Sequence, residues 1–264
     1  MLLQDKVAVV YGAGGAIGSA VAQAFAREGA TVYLTGHDQA AVDVVAKEIV
    51  AAGSGGAEAA EVDALDERAV DEHLEHVVAA SGRLDISFNA IGIPDADILG
   101  LPLTELDLAQ FTLPLAAYTT SYFLTARLAA RRMVDAGSGV IMTVSALHSR
   151  TGIPLVGGFG PAQAAKEALT RALSAELAPH GLRVVGLRPQ AVPTSRTIRQ
   201  AWEPRAAATG MTWEQWQDLL ASRTHPRRLM RIEEVAEVAA FVASDRASGM
   251  TGTTVNLTMG SLDD

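Results

Sequence analysis

The chain has no cysteine, so disulfides, thiolate zinc sites and a cysteine nucleophile are excluded. Lysine is scarce as well: three lysines stand against eighteen arginines, which makes any fixed ammonium group worth following. Positive charge is also outweighed overall. A net charge of -9 and a pI of about 5.2, with acidic residues spread along the chain, give no electrostatic footprint for nucleic acid. The six histidines show no metal-ligand spacing, so no metal is expected. The longest uncharged stretch, residues 7–26, matches the thickness of a bilayer, but Gly12, Gly14, Gly15 and Gly18 break it into a short apolar run, a turn and a helix. Lys6 alone is a poor secretory n-region. The expectation is a cytoplasmic protein with no membrane and no nucleic-acid partner, acting on a small molecule.

What is present is apolar and regular. Of 264 residues, 49% are hydrophobic and 19% charged, enough to bury a substantial core. Strand-like apolar runs occur at "KVAVVYG", "ATVYLTG", "LDISFNA", "GVIMTVSA", "LRVVGLRP" and "GTTVNLTMG". Between them lie alanine-rich stretches of helical period at residues 20–28, 38–52, 67–80, 111–136 and 162–178. Strands alternating with helices imply crossover connections and a buried parallel sheet, hence a doubly wound α/β fold. No repeat or linker divides it, so a single domain spanning residues 1–264 is expected. Residues 193–228 differ, holding three prolines and all three tryptophans, Trp202, Trp213 and Trp216; this segment reads as a helical lid over the carboxyl ends of the strands.

After the first run comes "YGAGGAIGSAVAQAFA", a glycine turn opening a helix, which lets backbone approach a pyrophosphate at the helix N-terminus. The pattern gains weight from its strand–turn–helix–strand setting. At the end of the second strand, where an acid would select NAD, stand Gly36 and His37, followed by Asp38. The missing acid favours NADP(H) slightly over NAD(H), although no arginine is placed for the extra phosphate.

Taken together, these features resemble the short-chain dehydrogenase/reductase family over nearly the whole chain. "GAGGAIG", with Gly12, Gly14, Ile17 and Gly18, resembles the family's glycine turn. Asp63 in "EVDALDE" matches its acid near adenine, and "FNAIG", with Asn89 and Gly92, is a degraded Asn-Asn-Ala-Gly motif. In "RPQAVPT", Pro189, Val192 and Thr194 match the segment passing the nicotinamide, with Gln190 in place of a usual glycine. The resemblance implies a Rossmann-like sheet, hydride transfer with NAD(P)(H), and a homodimer or homotetramer formed through the helices at 111–136 and 162–178.

It also implies an Asn, Ser, Tyr and Lys that carry the proton chemistry, and here each position holds another residue: Tyr118, Ala146, Phe159 and Gln163. No tyrosine elsewhere is followed by lysine four residues later. Phenylalanine has no proton to give, and losing a positioned acid forfeits about 10²- to 10⁴-fold in rate. Lys166 lies seven residues after Phe159, the spacing of the family's enoyl reductase branch; it reads either as an ammonium reaching the nicotinamide ribose or as an exposed lysine beside Glu167. Tyr118 and His148 are the candidate proton donors, with core packing and a solvated loop as their bland alternatives. Ala146, Phe159, Gln163 and the tryptophans form the candidate substrate pocket, suited to an apolar or aromatic carbonyl, imine or activated alkene. Two other functions stay open: a non-redox cyclase, isomerase or lyase, and a non-catalytic subunit on the same scaffold.

Overall fold

Seven parallel strands form one sheet in the order β3-β2-β1-β4-β5-β6-β7. The computed structural model describes residues 1–93, 98–193 and 196–263, without the side chains at 196, 197, 200, 201, 204, 205 and 207. In chain order the elements are β1 (Val7–Tyr11), α1 (Ala16–Arg27), β2 (Thr31–Gly36), α2 (Gln39–Ala51), β3 (Ala57–Glu61), α3 (Glu67–Ser81) and β4 (Ile86–Asn89). There follow α4 (Leu108–Met133), β5 (Gly139–Val144), α5 (Phe159–Leu177), β6 (Leu182–Pro189), α6 (Arg196–Thr209), α7 (Trp213–Ser222), α8 (Ile232–Ala243) and β7 (Thr253–Leu257). The doubly wound reading of the sequence holds.

The pleat sends alternate residues to opposite faces, and the apolar runs fill both. Ala8, Val10, Val32, Leu34, Phe88 and Met142 pack against α1, α2 and α8. Val7, Val9, Tyr11, Tyr33, Ile141 and Val184 pack against α3 and α4, with Leu169, Leu173 and Leu177 of α5 on the same side.

One strand has no apolar run. β3 is "AEAAE", an edge strand with Glu58 and Glu61 exposed, so its sequence carries neither a continuous run nor a core-facing alternation. Helices α1, α4 and α5 start three or four residues earlier than periodicity suggests. α4 opens at Leu108 because Asp107 and Gln110 form a reciprocal capping box with each other's backbone. The order reverses between β1 and β4, and α/β sheets open a ligand crevice at the carboxyl ends of strands at such a point.

Candidate functional site

At that switch point the glycine turn runs close against the loop after β4. Gly12 has φ +75°, and a Cβ there would stand 2.7 Å from the Ala90 carbonyl oxygen. A Cβ on Gly18 would stand 2.3 Å from the carbonyl oxygen of Gly12, so the turn and the first turn of α1 fit only without side chains. Gly15 caps α1 with no side-chain hydrogen bond, and no acidic residue lies in the first turn. Backbone N–H groups and the positive end of the helix dipole are thus left uncapped by side chains, an arrangement suited to an anion. Ile17 sits half-buried behind the turn.

Around the crevice the other cofactor candidates fall at strand ends. Gly36 ends β2 and His37 is exposed. The Asp38 carboxylate caps α2 by accepting from the Ala41 N–H at 3.2 Å. Asp63, exposed after β3, accepts from the Leu65 N–H at 2.8 Å. Asn89 is buried; its side chain donates to Thr125 Oγ1 at 3.1 Å and ties β4 to α4, so it faces structure, not solvent. Gly92 lies in open space. Pro189 ends β6, and Val192 joins the core. Gln190 is buried and donates to Ser261 Oγ at 2.6 Å, linking this loop to the chain's end. Thr194 lies outside the described residues.

The proton-donor candidates come together. The Phe159 ring stands at the start of α5, 5.7 Å from the Tyr118 ring and 5.1 Å from the His148 ring, edge-on to both. Tyr118 is buried and His148 half-buried. Ala146 is the extended residue leading into the short turn of residues 147–149 that carries His148. Gln163 is buried one turn on from Phe159.

Lys166 corrects the alternative of an exposed helix residue. It is 1% exposed, its Nζ donates to the Val144 carbonyl at 2.6 Å, and it lies 5.5 Å from the centre of the Tyr118 ring. Burial without a carboxylate partner pushes the amine down to about 7. Its neighbour Glu167 is also buried, and Arg188 of β6 grips it with Nε to Oε1 and Nη2 to Oε2, both at 2.8 Å. Ser145 and Ser149 donate to the same Oε1 at 2.7 and 2.6 Å. Burial alone would raise the carboxyl pKa; the hydrogen bonds from Arg188, Ser149 and Ser145 outweigh it and hold it below its ordinary value. Sequence reading missed this pair. A signal existed: Gln163, Lys166, Glu167, Thr170 and Ser174 recur at helical spacing on the buried face of α5, a polar stripe where apolar residues belong.

The tryptophans gather elsewhere. Trp202 meets Trp213 edge-on at 5.3 Å, and Trp213 stacks on Trp216 at 5.5 Å. Beside them a cavity of about 360 Å³ is lined by Pro193, Arg199, Trp213, Met230 and Ile232 among others, but by none of Phe159, Tyr118 and His148. His73 is buried against Tyr33, and burial pushes its imidazole down to about 4. Among the described residues no group of metal-ligating side chains forms, and no helix is long and apolar enough to cross a membrane.

Comparison with known proteins adds to this geometry. A family model described as enoyl-(acyl carrier protein) reductase matches residues 12–261. The chain is 33% identical over 248 residues to cis-4-hydroxycyclohexanecarboxylate dehydrogenase of Sinomonas cyclohexanicum, covering 94% of this chain and 93% of that one. It is 32% identical over 251 residues to the uncharacterized oxidoreductase YuxG of Bacillus subtilis, covering 94% of this chain but only 36% of that longer protein. A structure of NAD+-bound xylitol dehydrogenase superposes with a TM-score of 0.90 at 25% identity, over 97% of this chain and 99% of the other. Matches of this length lead to one assignment: the chain belongs to the short-chain dehydrogenase/reductase family and is an oxidoreductase.

Proposed function

We propose that the chain transfers hydride between NAD(P)(H) and an apolar or aromatic carbonyl, imine or activated alkene, with its proton supplied from a non-standard donor. The observation that carries this reading is the meeting of Tyr118 and His148 against Phe159, with the Lys166 amine beneath the Tyr118 ring. Gly12, Gly14, Ile17 and Gly18 would hold the pyrophosphate, Gly36 and His37 the adenosine ribose, and Asp63 the adenine. Asn89 and Gly92 would border the ribose through backbone, and Pro189, Val192 and Thr194 the nicotinamide. When bound, the nicotinamide gives or takes the hydride. NADP(H) is slightly favoured over NAD(H), because no acid ends β2 and the Asp38 carboxylate is engaged in capping.

On reduction, the oxygen or nitrogen of the substrate gains charge that must be met by a proton. His148, half-buried in the turn beside Ala146, is less enclosed than Tyr118 and would be the donor that meets a ligand. Tyr118 is more deeply buried and stands over the Lys166 amine, so its phenol would act in series, returning a proton to the imidazole or orienting it. Ala146, Phe159 and Gln163 would line the reacting end of the substrate. Residues 193–228 would form a lid on the single domain; its tryptophans, which gather at a cavity that Phe159, Tyr118 and His148 do not line, would reach only a substrate long enough to extend from one place to the other. A second copy would pack on α4, where Leu113 and Phe123 are exposed, and on α5; a monomer by light scattering would remove that part.

The test is a screen of aryl ketones, enones and imines with NADPH. His148→Ala is expected to lower kcat by about 10²- to 10⁴-fold with dinucleotide affinity retained. Full turnover in His148→Ala and Tyr118→Phe would reject these donors, and turnover with no nicotinamide present would favour a non-redox reaction on the scaffold.

A further inference from the structure

The turn that carries His148 is fastened at both ends to one atom. Ser145, before it, and Ser149, at its close, both donate to Glu167 Oε1, at 2.7 and 2.6 Å. The turn between them is a single short 3-10 segment, with Ser149 N–H closing on the Ala146 carbonyl at 2.9 Å. From the same helix, Lys166 Nζ holds the Val144 carbonyl just upstream at 2.6 Å. α5 also comes close to the turn by backbone: a Cβ on Gly160 would stand 3.1 Å from the His148 carbonyl oxygen, tighter than ordinary contact. The carboxylate that receives both serines is itself immobile, because Arg188 of β6 holds each of its oxygens at 2.8 Å and the pair is 3% and 4% exposed.

A buried ion pair of this kind is poor value as a stabiliser, since an apolar pair of equal volume usually does as well or better. What it provides is direction: three elements that are distant in sequence are fixed about one point. Resting on the reading of His148 as proton donor, we infer that Glu167, locked by Arg188, is a positioning residue that sets the 145–149 turn and thereby the place of the His148 imidazole against Phe159. Glu167 touches no substrate in this scheme. Its effect passes through the two serine hydroxyls.

The test needs no turnover. In the full chain labelled with ¹⁵N, the imidazole resonances of the six histidines are recorded, with that of His148 assigned by its loss in His148→Ala. Ser149→Ala is expected to move the His148 signals while His37, His180 and His225 stay in place and the thermal melt remains cooperative; Ser149→Thr, which keeps the hydroxyl, should restore them. Glu167→Gln should move them further. With any substrate found by the screen, Ser149→Ala should lower kcat about 10- to 100-fold and leave KM within about twofold. His148 signals unchanged in Ser149→Ala would overturn the inference, and so would a change spread over all histidines with loss of the cooperative melt. Should Glu167→Gln fail to fold, Ser149→Ala decides. Failure to bind NADPH would reject the proposed function and leave this readout standing.

Discussion

The two halves of the sheet build their sites by different means. In the β1–α1–β2 half, the turn is made of backbone, and its requirements appear as glycines within seven consecutive residues: Gly12 against Ala90 and Gly18 against Gly12. In the β5–α5–β6 half the site is made of side chains, and its parts are drawn from Tyr118, Ser145, His148, Glu167 and Arg188. A backbone site is local and can be spelled by a motif; a side-chain site is assembled by topology and leaves only a scattered mark.

The largest effect should come from the second half. Glu167→Ala removes one side of a buried ion pair, and a loss of about 3–5 kcal/mol in a urea melt is expected; a loss under about 1 kcal/mol would mean that the pair is not closed off from water. In the first half, Gly18→Ala forces a Cβ into the Gly12 carbonyl, with an expected cost of about 1–3 kcal/mol and a marked drop in dinucleotide affinity. Unchanged affinity in that variant would break the comparison, because the turn would then have no ligand to hold.

Lys166 sharpens the contrast through pH. Its folded pKa, about 7, lies below the ordinary 10.5, so between these values the unfolded chain holds the extra proton and stability rises with pH. Lys166→Met should therefore be more stable than the parent near pH 7, with the gap closing by about 1.4 kcal/mol per pH unit up to about pH 10. A gap independent of pH would show that the amine is charged in its buried place. The smallest effect is expected at Asp38, where Asp38→Ala removes a helix cap and should cost about 1 kcal/mol without weakening NADPH binding.

Most of the fold was legible because it rests on apolar periodicity, which six of seven strands display. β3 was not, since an edge strand built only of alanine and glutamate carries no apolar run. The glycine turn, Asp63 and the loop after β6 could be placed by motif. The gathering of Tyr118 and His148 around Phe159, with Lys166 against Tyr118, could be suspected only from residues missing at expected positions. Glu167 and Arg188 were hidden: a single acid in a helix reads as surface, and a single arginine ending an apolar strand gives no hint that it points inward to meet it. Trp202, Trp213 and Trp216 were legible as a group, but they gather beside a cavity that Phe159 does not line.

The most direct measurement is titration of the folded protein with NADPH and NADH, following nicotinamide fluorescence and thermal shift together. Saturable binding of both, somewhat tighter for NADPH, with a rise in melting temperature, is the result expected of a hydride-transfer enzyme. Binding of neither, in protein with a cooperative melt, would contradict it and turn attention to chemistry without a nicotinamide.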